Sequence, residues 1–306
     1  MDAVFVAEQL LHGLGYGLML FLLAAGLTLV FGVMDTMNLA HGSLYMLGAY
    51  LGATMQQVTH SFTLAVVVAV LGTVALAGLL EWMLMRRLYS RNHLVQVVAT
   101  FGVILIADDA VKAIWGAAPV MSSTPEALRG TLGLLPGLPY PTYRVLILVA
   151  GLLVALLLHG VVNHTRLGML VRAGASNRPM AELMGVRVER VFALVFVLGA
   201  SLAGLAGALM GPLTSVQIGM GDAILIPALM VIVIGGIGSI RGALIAALLV
   251  GVIDTAGRAF VPLLLKKLMS PELAADIAPA LAGLSMYLLM AAVLSFKPSG
   301  LFPARN

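Results

Sequence analysis

The sequence predicts an all-α, polytopic integral membrane protein with about 8–9 transmembrane helices, some of them broken or re-entrant. Of its 306 residues, 61% are hydrophobic and only 10% are charged, and the mean hydropathy is +1.08. A soluble domain carries about 25% charged residues, because its exterior must meet water. Each spanning helix takes ~20 apolar residues, so the composition allows about nine spans. The long unbroken apolar runs exclude a transmembrane barrel, whose strands alternate.

Nine apolar runs account for the predicted helices and leave little chain for a soluble domain. In chain order they cover residues 10–33, 38–57, 62–85, 93–115, 142–163, 191–214, 223–239, 242–262 and 278–296. The first run is too long for the core of a signal peptide, so we expect it to be a retained span. The chain has no Cys, which excludes disulfides, thiolate metal sites and Cys nucleophiles.

Polar residues interrupt the apolar sequence between the first and second runs. Asp35, Asn38, His41 and Ser43 stand there, with Gly42 between the last two. Polar groups at membrane depth must face protein or a water-filled path, and broken helices often hold substrates in transporters. The same residues also fit a plain hairpin between two spans, with Asn38 and His41 as helix caps. Composition alone leaves both interpretations open.

Basic residues set the predicted orientation. No Lys or Arg precedes Arg86, after which Arg86, Arg87 and Arg91 share one short loop and five more Arg residues fall within 166–190. Because Lys and Arg collect on the cytoplasmic side, we place both loops there, the amino terminus outside and the carboxy terminus in the cytoplasm. The same rule explains the net charge of +4 without a nucleic-acid partner.

The two longest connections receive different predictions. Residues 116–141 contain five Pro residues and are expected to form an ordered external loop without regular structure. Residues 164–190 form a basic cytoplasmic loop, in which a short helix from Arg178 to Met184 would stop at Gly185. In that helix Ala181 and Gly185 would share one face, and Glu182 could pair with Arg178. This segment is either a helix that docks into a partner or an ordinary basic loop.

Small residues predict close helix packing in the second half of the chain. Gly199, Ala203, Gly207 and Gly211 recur every four residues, which predicts a tight helix–helix seam. The glycine-rich stretch 235–242 is either a loop between two spans or a break within the membrane.

Charged residues inside the runs are expected to pair. Asp254 and Arg258 are four residues apart near the outer end of their run, which favours a structural or entrance-lining role over a proton relay. Glu81, near an inner end, is expected either to extend its carboxylate to the membrane surface or to pair with Arg86 or Arg87.

Enzyme motifs are incomplete. Gly219-Met220-Gly221-Asp222 matches part of an intramembrane aspartyl protease signature, but the chain has no Tyr-Asp pair to supply a second carboxylate. No Gly-x-x-x-x-Gly-Lys-Ser/Thr nucleotide motif occurs. We therefore predict no catalytic residues, no metal site and no cofactor in this chain, so any ATP-driven transport would need another chain to hydrolyse ATP.

Five blocks resemble the branched-chain amino acid ABC transporter permeases of the LivH type, and they occur in family order over nearly the whole chain. The blocks are Leu27–Met34, Asn38–Tyr50, Met180–Val186, Gly235–Ala243 and Phe296–Phe302. The resemblance implies a single transmembrane permease domain over residues 1–306 of a multi-chain importer in the bacterial inner membrane. Its third block corresponds to the family's cytoplasmic coupling segment, which implies ATPase coupling by Arg178, Ala181, Glu182, Met184 and Gly185.

The resemblance also implies the partners. Two cytoplasmic ATPase subunits would use ATP and Mg²⁺, a periplasmic binding protein would deliver substrate, and the second permease would be another copy or a LivM-like paralogue. Branched-chain or other hydrophobic amino acids are the expected substrates, with urea, short amides or another small carboxylate as alternatives. The competing class is an ion-coupled secondary transporter, for which Asp35 and His41 would be the coupling candidates.

Overall fold

The computed structural model describes residues 3–135 and 138–302, and these residues form eleven helices and one small hairpin. The helices are α1 (Ala3–Met34), α2 (His41–Thr59), α3 (Phe62–Leu80, continued by a π-helical turn at Glu81–Met85 and by Arg86–Leu88), α4 (His93–Trp115), α5 (Thr142–His164), α6 (Arg166–Ser176), α7 (Arg178–Leu183), α8 (Val188–Met210), α9 (Met220–Gly235), α10 (Ile240–Leu268) and α11 (Pro271–Phe296). The strands are β1 (Thr131–Leu135) and β2 (Leu138–Pro141), which pair antiparallel.

Seven of the described helices are long and apolar enough to cross a membrane, namely α1, α3, α4, α5, α8, α10 and α11. Helices α1 and α8 form the centre of the bundle, with 83% and 67% of their most apolar stretches buried, whereas the other five are between 17% and 33% buried. Apolar side chains exposed on the outer helices suit contact with lipid. The prediction of a polytopic helical membrane protein is confirmed.

Two of the nine predicted runs form inner helices that fall short of these criteria. Helix α2 is polar at its start, and α9 has only 16 residues. At 1.5 Å per residue α9 spans about 24 Å, less than the hydrocarbon core of ~30 Å. The connection to α10 passes through Gly236 and Gly238, which have φ of 101° and 80°. The glycine-rich stretch 235–242 therefore connects a short helix to a long one.

The carboxyl end of α9 is completed by the end of the chain. The backbone N–H groups of Leu301 and Phe302 donate to the carbonyls of Ile234 and Gly235, at 2.8 and 3.0 Å. These bonds satisfy two carbonyls that the helix end would otherwise leave unpaired.

Both long connections contain more regular structure than we predicted. The expectation that 116–141 lacks regular structure is wrong, because it contains the β1–β2 hairpin and a 3₁₀ turn at Glu126–Leu128. The five Pro residues favoured an irregular loop, so the short strand pairing was not predicted from the sequence. The 164–190 connection contains α6 as well as α7, and the Thr165 hydroxyl caps α6 by accepting from the N–H of Gly168 at 3.2 Å.

Candidate functional site

The polar segment after α1 enters the interior of the bundle. Polar side chains of α4 hold it in an extended course: the N–H of Met37 donates to Gln96 Oε1 at 3.1 Å, and the N–H of Leu39 donates to Thr100 Oγ1 at 3.3 Å. Thr100 lies about one helical turn beyond Gln96, so the segment 35–40 runs alongside α4. Helix α2 consequently starts inside the bundle.

The start of α2 is buried and polar. Asn38, His41 and Ser43 are at most 2% exposed, yet Asn38 Nδ2, His41 Nε2 and Ser43 Oγ have no hydrogen-bond partner among the described residues. The His41 ring lies against α1, with Nε2 3.0 Å from the position that a Cβ on Gly26 would take. Burying unpaired polar groups is costly, so such a cluster points to a function that uses them.

The other two predicted path residues differ from these three. Asp35 lies apart from the cluster: its side chain is 82% exposed, 3.7 Å from His93. Its φ of 47° ends α1 in the left-handed region. Gly42 is buried at a helix crossing, where an added Cβ would lie 2.4 Å from the carbonyl oxygen of Gly221 in α9. Because Gly42 has no side chain, the backbone of α9 packs directly beside the polar cluster.

Sequence reasoning missed two further buried polar groups with the same property. Thr28 Oγ1 and Tyr50 OH also have no partner among the described residues. It also missed Gln96, which is 2% exposed and donates to the carbonyls of Leu88 and Arg91 as well as holding Met37. A polar residue inside an apolar run was the available signal in each case.

The small-residue stripe of α8 lies against two helices. A Cβ on Gly199 would lie 2.9 Å from the Gly26 carbonyl oxygen of α1, and a Cβ on Gly207 would lie 2.1 Å from the Tyr45 carbonyl oxygen of α2. Ala203 between them is fully buried. Gly211 lies at the helix end, where a Cβ would meet Val216 at an ordinary 3.5 Å. The tight part of the seam therefore ends at Gly207.

The predicted short helix in the cytoplasmic loop exists as α7, but the expectation that Ala181 and Gly185 share its face is wrong. The helix ends at Leu183, and Gly185 follows it with φ of 84° and no atom within 4 Å of an added Cβ. The N–H groups of Gly185 and Val186 donate to the carbonyls of Glu182 and Ala181, at 3.0 Å each, which is a Schellman ending. Glycine is needed here for its backbone conformation.

Ala181 is 5% exposed and packs inward, so the exposed face of α7 is made by other residues. Met180, Leu183 and Met184 are 55%, 84% and 79% exposed. Of these three, sequence reasoning named only Met184. The side chain of Arg178 lies outside the described residues.

Two predicted ion pairs are present. Arg258 Nε lies 2.8 Å from Asp254 Oδ2, and Arg86 Nε lies 3.8 Å from Glu81 Oε1. The Tyr89 hydroxyl also donates to Glu81 at 3.1 Å, and burial together with this carboxylate raises the pKa of Tyr89. The described residues contain no group of three or more His, Asp or Glu side chains that could hold a metal ion.

Comparison with known proteins decides the family. The family model described as the permease component of branched-chain amino acid transport systems matches residues 9–294. The chain belongs to this permease family. It is 28% identical to the high-affinity branched-chain amino acid permease LivH of Escherichia coli K12, over 84% of this chain and 87% of that one.

Two further relatives match this chain over different shares of its length. The branched-chain amino acid permease BraD of Pseudomonas aeruginosa is 30% identical, over 82% of this chain and 85% of that one. The fructose import permease FrcC of Rhizobium meliloti is 40% identical, over 36% of this chain and 32% of that one. No solved structure matches. The chain is thus a multi-pass permease subunit of a transport system.

Proposed function

We propose that this permease forms the translocation path of a binding-protein-dependent ABC importer for branched-chain or other hydrophobic amino acids. The observation that carries the proposal is the buried start of α2, where Asn38, His41 and Ser43 keep unpartnered polar atoms. Surrounding apolar helices would shield such a cluster from lipid, so it suits the passage of a small polar or zwitterionic solute.

The energy for transport would come from other subunits. Two cytoplasmic ATPases using ATP and Mg²⁺ would dock on the exposed apolar face of α7, and Arg187 and Arg190, both exposed, fit the cytoplasmic side. The second permease would be another copy of this chain or a LivM-like paralogue, and a periplasmic protein would deliver substrate. In this proposal the complex would lie in the bacterial inner membrane, with the amino terminus outside and the carboxy terminus in the cytoplasm.

The test is uptake of labelled leucine into proteoliposomes. We expect uptake with ATP inside, the ATPases present and the binding protein outside, and none with the permease alone. Uptake by the permease alone under a proton or sodium gradient would instead support the ion-coupled class. Competition by fructose, urea or a short amide, in place of leucine, would reassign the substrate; the partial similarity to FrcC makes fructose a necessary competitor.

Single-Cys labelling tests the path itself, since the chain has no native Cys. Cys at positions 38, 41 and 43 should react with small thiol reagents in at least one nucleotide state. Lack of reaction from both sides in every nucleotide state would show that these residues do not line the path.

A further inference from the structure

A second polar site lies at the other end of the bundle from α7. A pocket of about 260 Å³ is lined by residues of α1, β2, α5, α8, α10 and the segment that follows α8. Its polar lining consists of His12, Tyr16, Tyr140, Arg144, Thr214 and Thr255. None of these residues belongs to the buried cluster at the start of α2. In the proposed orientation the pocket lies on the outer side, where substrate would arrive.

We propose that this Arg144 pocket is an acceptor site for an aliphatic α-amino acid, with Arg144 binding the carboxylate and the apolar wall taking the side chain. The inference rests on the proposed function, because it assigns the place where the delivered substrate first binds the permease. It adds a site distinct from the α2 cluster and names the groups that recognise the substrate.

Arg144 supplies the recognition of a carboxylate. It is the only Lys or Arg among the described lining residues, and no Asp or Glu lines the pocket with it. A guanidinium binds a carboxylate through two parallel hydrogen bonds. Tyr140 is 1% exposed; burial raises the pKa of its hydroxyl, and the neighbouring Arg144 opposes that shift. The tyrosine therefore stays a neutral hydrogen-bonding group beside the guanidinium.

His12 supplies a group for the ammonium. Its Nε2 is buried without a hydrogen-bond partner among the described residues, and Glu8 Oε1 is 3.8 Å away, beyond hydrogen-bond length. The His12 ring packs against the Tyr140 ring, with the centroids 5.3 Å apart and the ring planes tilted by 37°. A neutral imidazole accepts a hydrogen bond at its unprotonated nitrogen, so it can receive an N–H from the ligand.

The remaining lining suits a branched aliphatic side chain. Met19, Ile147, Met210 and Leu213 form the apolar wall, and Met19 and Ile147 are 4% and 2% exposed. Methionine adapts its shape to different apolar groups. The volume lies just below the ~300 Å³ at which pockets for drug-sized ligands begin, so the pocket fits one small molecule.

The walls of the pocket are held firmly. A Cβ on Gly251 of α10 would lie 2.4 Å from the Gly13 carbonyl oxygen of α1, and the Tyr143 hydroxyl donates to the Leu209 carbonyl at 2.7 Å. Asp254, next to Thr255, pairs with Arg258 at 2.8 Å. That pair occupies Arg258, which leaves Arg144 as the cation for the ligand.

The test is protection of a single Cys in the full complex, reconstituted in phosphatidylcholine nanodiscs. Leucine should slow thiol labelling of Thr255→Cys about tenfold or more, whereas leucinamide, which lacks the carboxylate, should have little effect. Thr131→Cys, on the hairpin and outside the pocket, is the control and should be unaffected. Equal protection by leucine and leucinamide, or none by leucine, would overturn the proposal.

A second variant identifies the group responsible. Arg144→Met in the Thr255→Cys protein should lose the protection and, in uptake, raise the KM for delivered leucine about 10- to 100-fold. Arg129→Met, an exposed arginine on the same side, should match the parent protein. Should Arg144→Met fold poorly, Met210→Trp fills the pocket instead and should also remove protection. If these variants keep wild-type uptake and wild-type protection, the acceptor-site proposal is wrong but the proposed function stands. If the unmodified complex takes up no leucine, the proposed function itself is wrong.

Discussion

Replacing Gly207 by Ala tests the close contact between α8 and α2. The added Cβ would lie 2.1 Å from the Tyr45 carbonyl oxygen and 2.9 Å from the Ala49 backbone N–H nitrogen. Both neighbours are backbone atoms of α2, so no side chain can rotate away. The two helices must move apart by about 1 Å to restore ordinary contact, which loosens every other contact along the seam.

The expected cost follows from two opposing effects. Overpacking a well-packed interior costs about 1–3 kcal/mol. Alanine is the better helix former by about 1 kcal/mol, which offsets part of that cost. Gly102 of α4 separates the two effects, because no atom lies within 4 Å of a Cβ placed there. Gly102→Ala should therefore be neutral or slightly stabilising, and Gly207→Ala destabilising.

Thermal unfolding of the purified protein in one detergent measures both variants. Gly207→Ala should lower the Tm by a few degrees, and Gly207→Leu should prevent assembly of a monodisperse protein. A Tm for Gly207→Ala equal to or above that of Gly102→Ala would refute the close approach of α8 to α2.

Two further predictions concern α7 and the segment 35–40. Met184→Ala should reduce binding-protein-stimulated ATP hydrolysis severalfold by removing apolar contact with the ATPase, whereas Met121→Ala, similarly exposed at 73% but on the outer side, should not; equal rates would contradict docking at α7. Gln96→Leu should lower the free energy of unfolding by about 1–3 kcal/mol, since it leaves buried backbone groups unpaired, and Gln57→Leu, which removes one exposed hydrogen bond, should cost less in the same denaturation assay.

The helices were predictable because their signal is local. Nine apolar runs became nine helices, and the glycine-rich stretch 235–242 contains the connection between α9 and α10. Short amphipathic α6 and the hairpin were not predicted, since neither has a long apolar run. The helix stop at Gly185 was predicted, but the shared face of Ala181 and Gly185 was not correct. A four-residue spacing implies a shared face only if the helix continues to the second residue, and hydrogen bonds made after Leu183 end this helix before Gly185.

The candidate site was predictable in composition but not in geometry. Asp35 and His41 stand six residues apart in one polar segment, yet one is at the surface and the other is buried against α1. The difference arises because side chains of α4, distant in sequence, hold the segment between them. Hydrogen bonds between segments so distant in sequence leave no periodic pattern from which they could be predicted.

The position of α8 offers a physical route by which ATPase docking at α7 could change the translocation path at the start of α2. Coupling between distant sites needs a contiguous, stiff element whose position both sites influence. Helix α8 begins five residues after the end of α7 and lies backbone to backbone against α1 at Gly199 and against α2 at Gly207. Glycine contacts contain no flexible side chain to absorb a displacement, so a shift of α7 on an ATPase would pass through α8 to α1 and to α2, which begins at His41. The small residues of the seam would then transmit movement from α7 as well as pack the helices. Larger residues at these positions would leave ATP hydrolysis in place but uncouple it from transport.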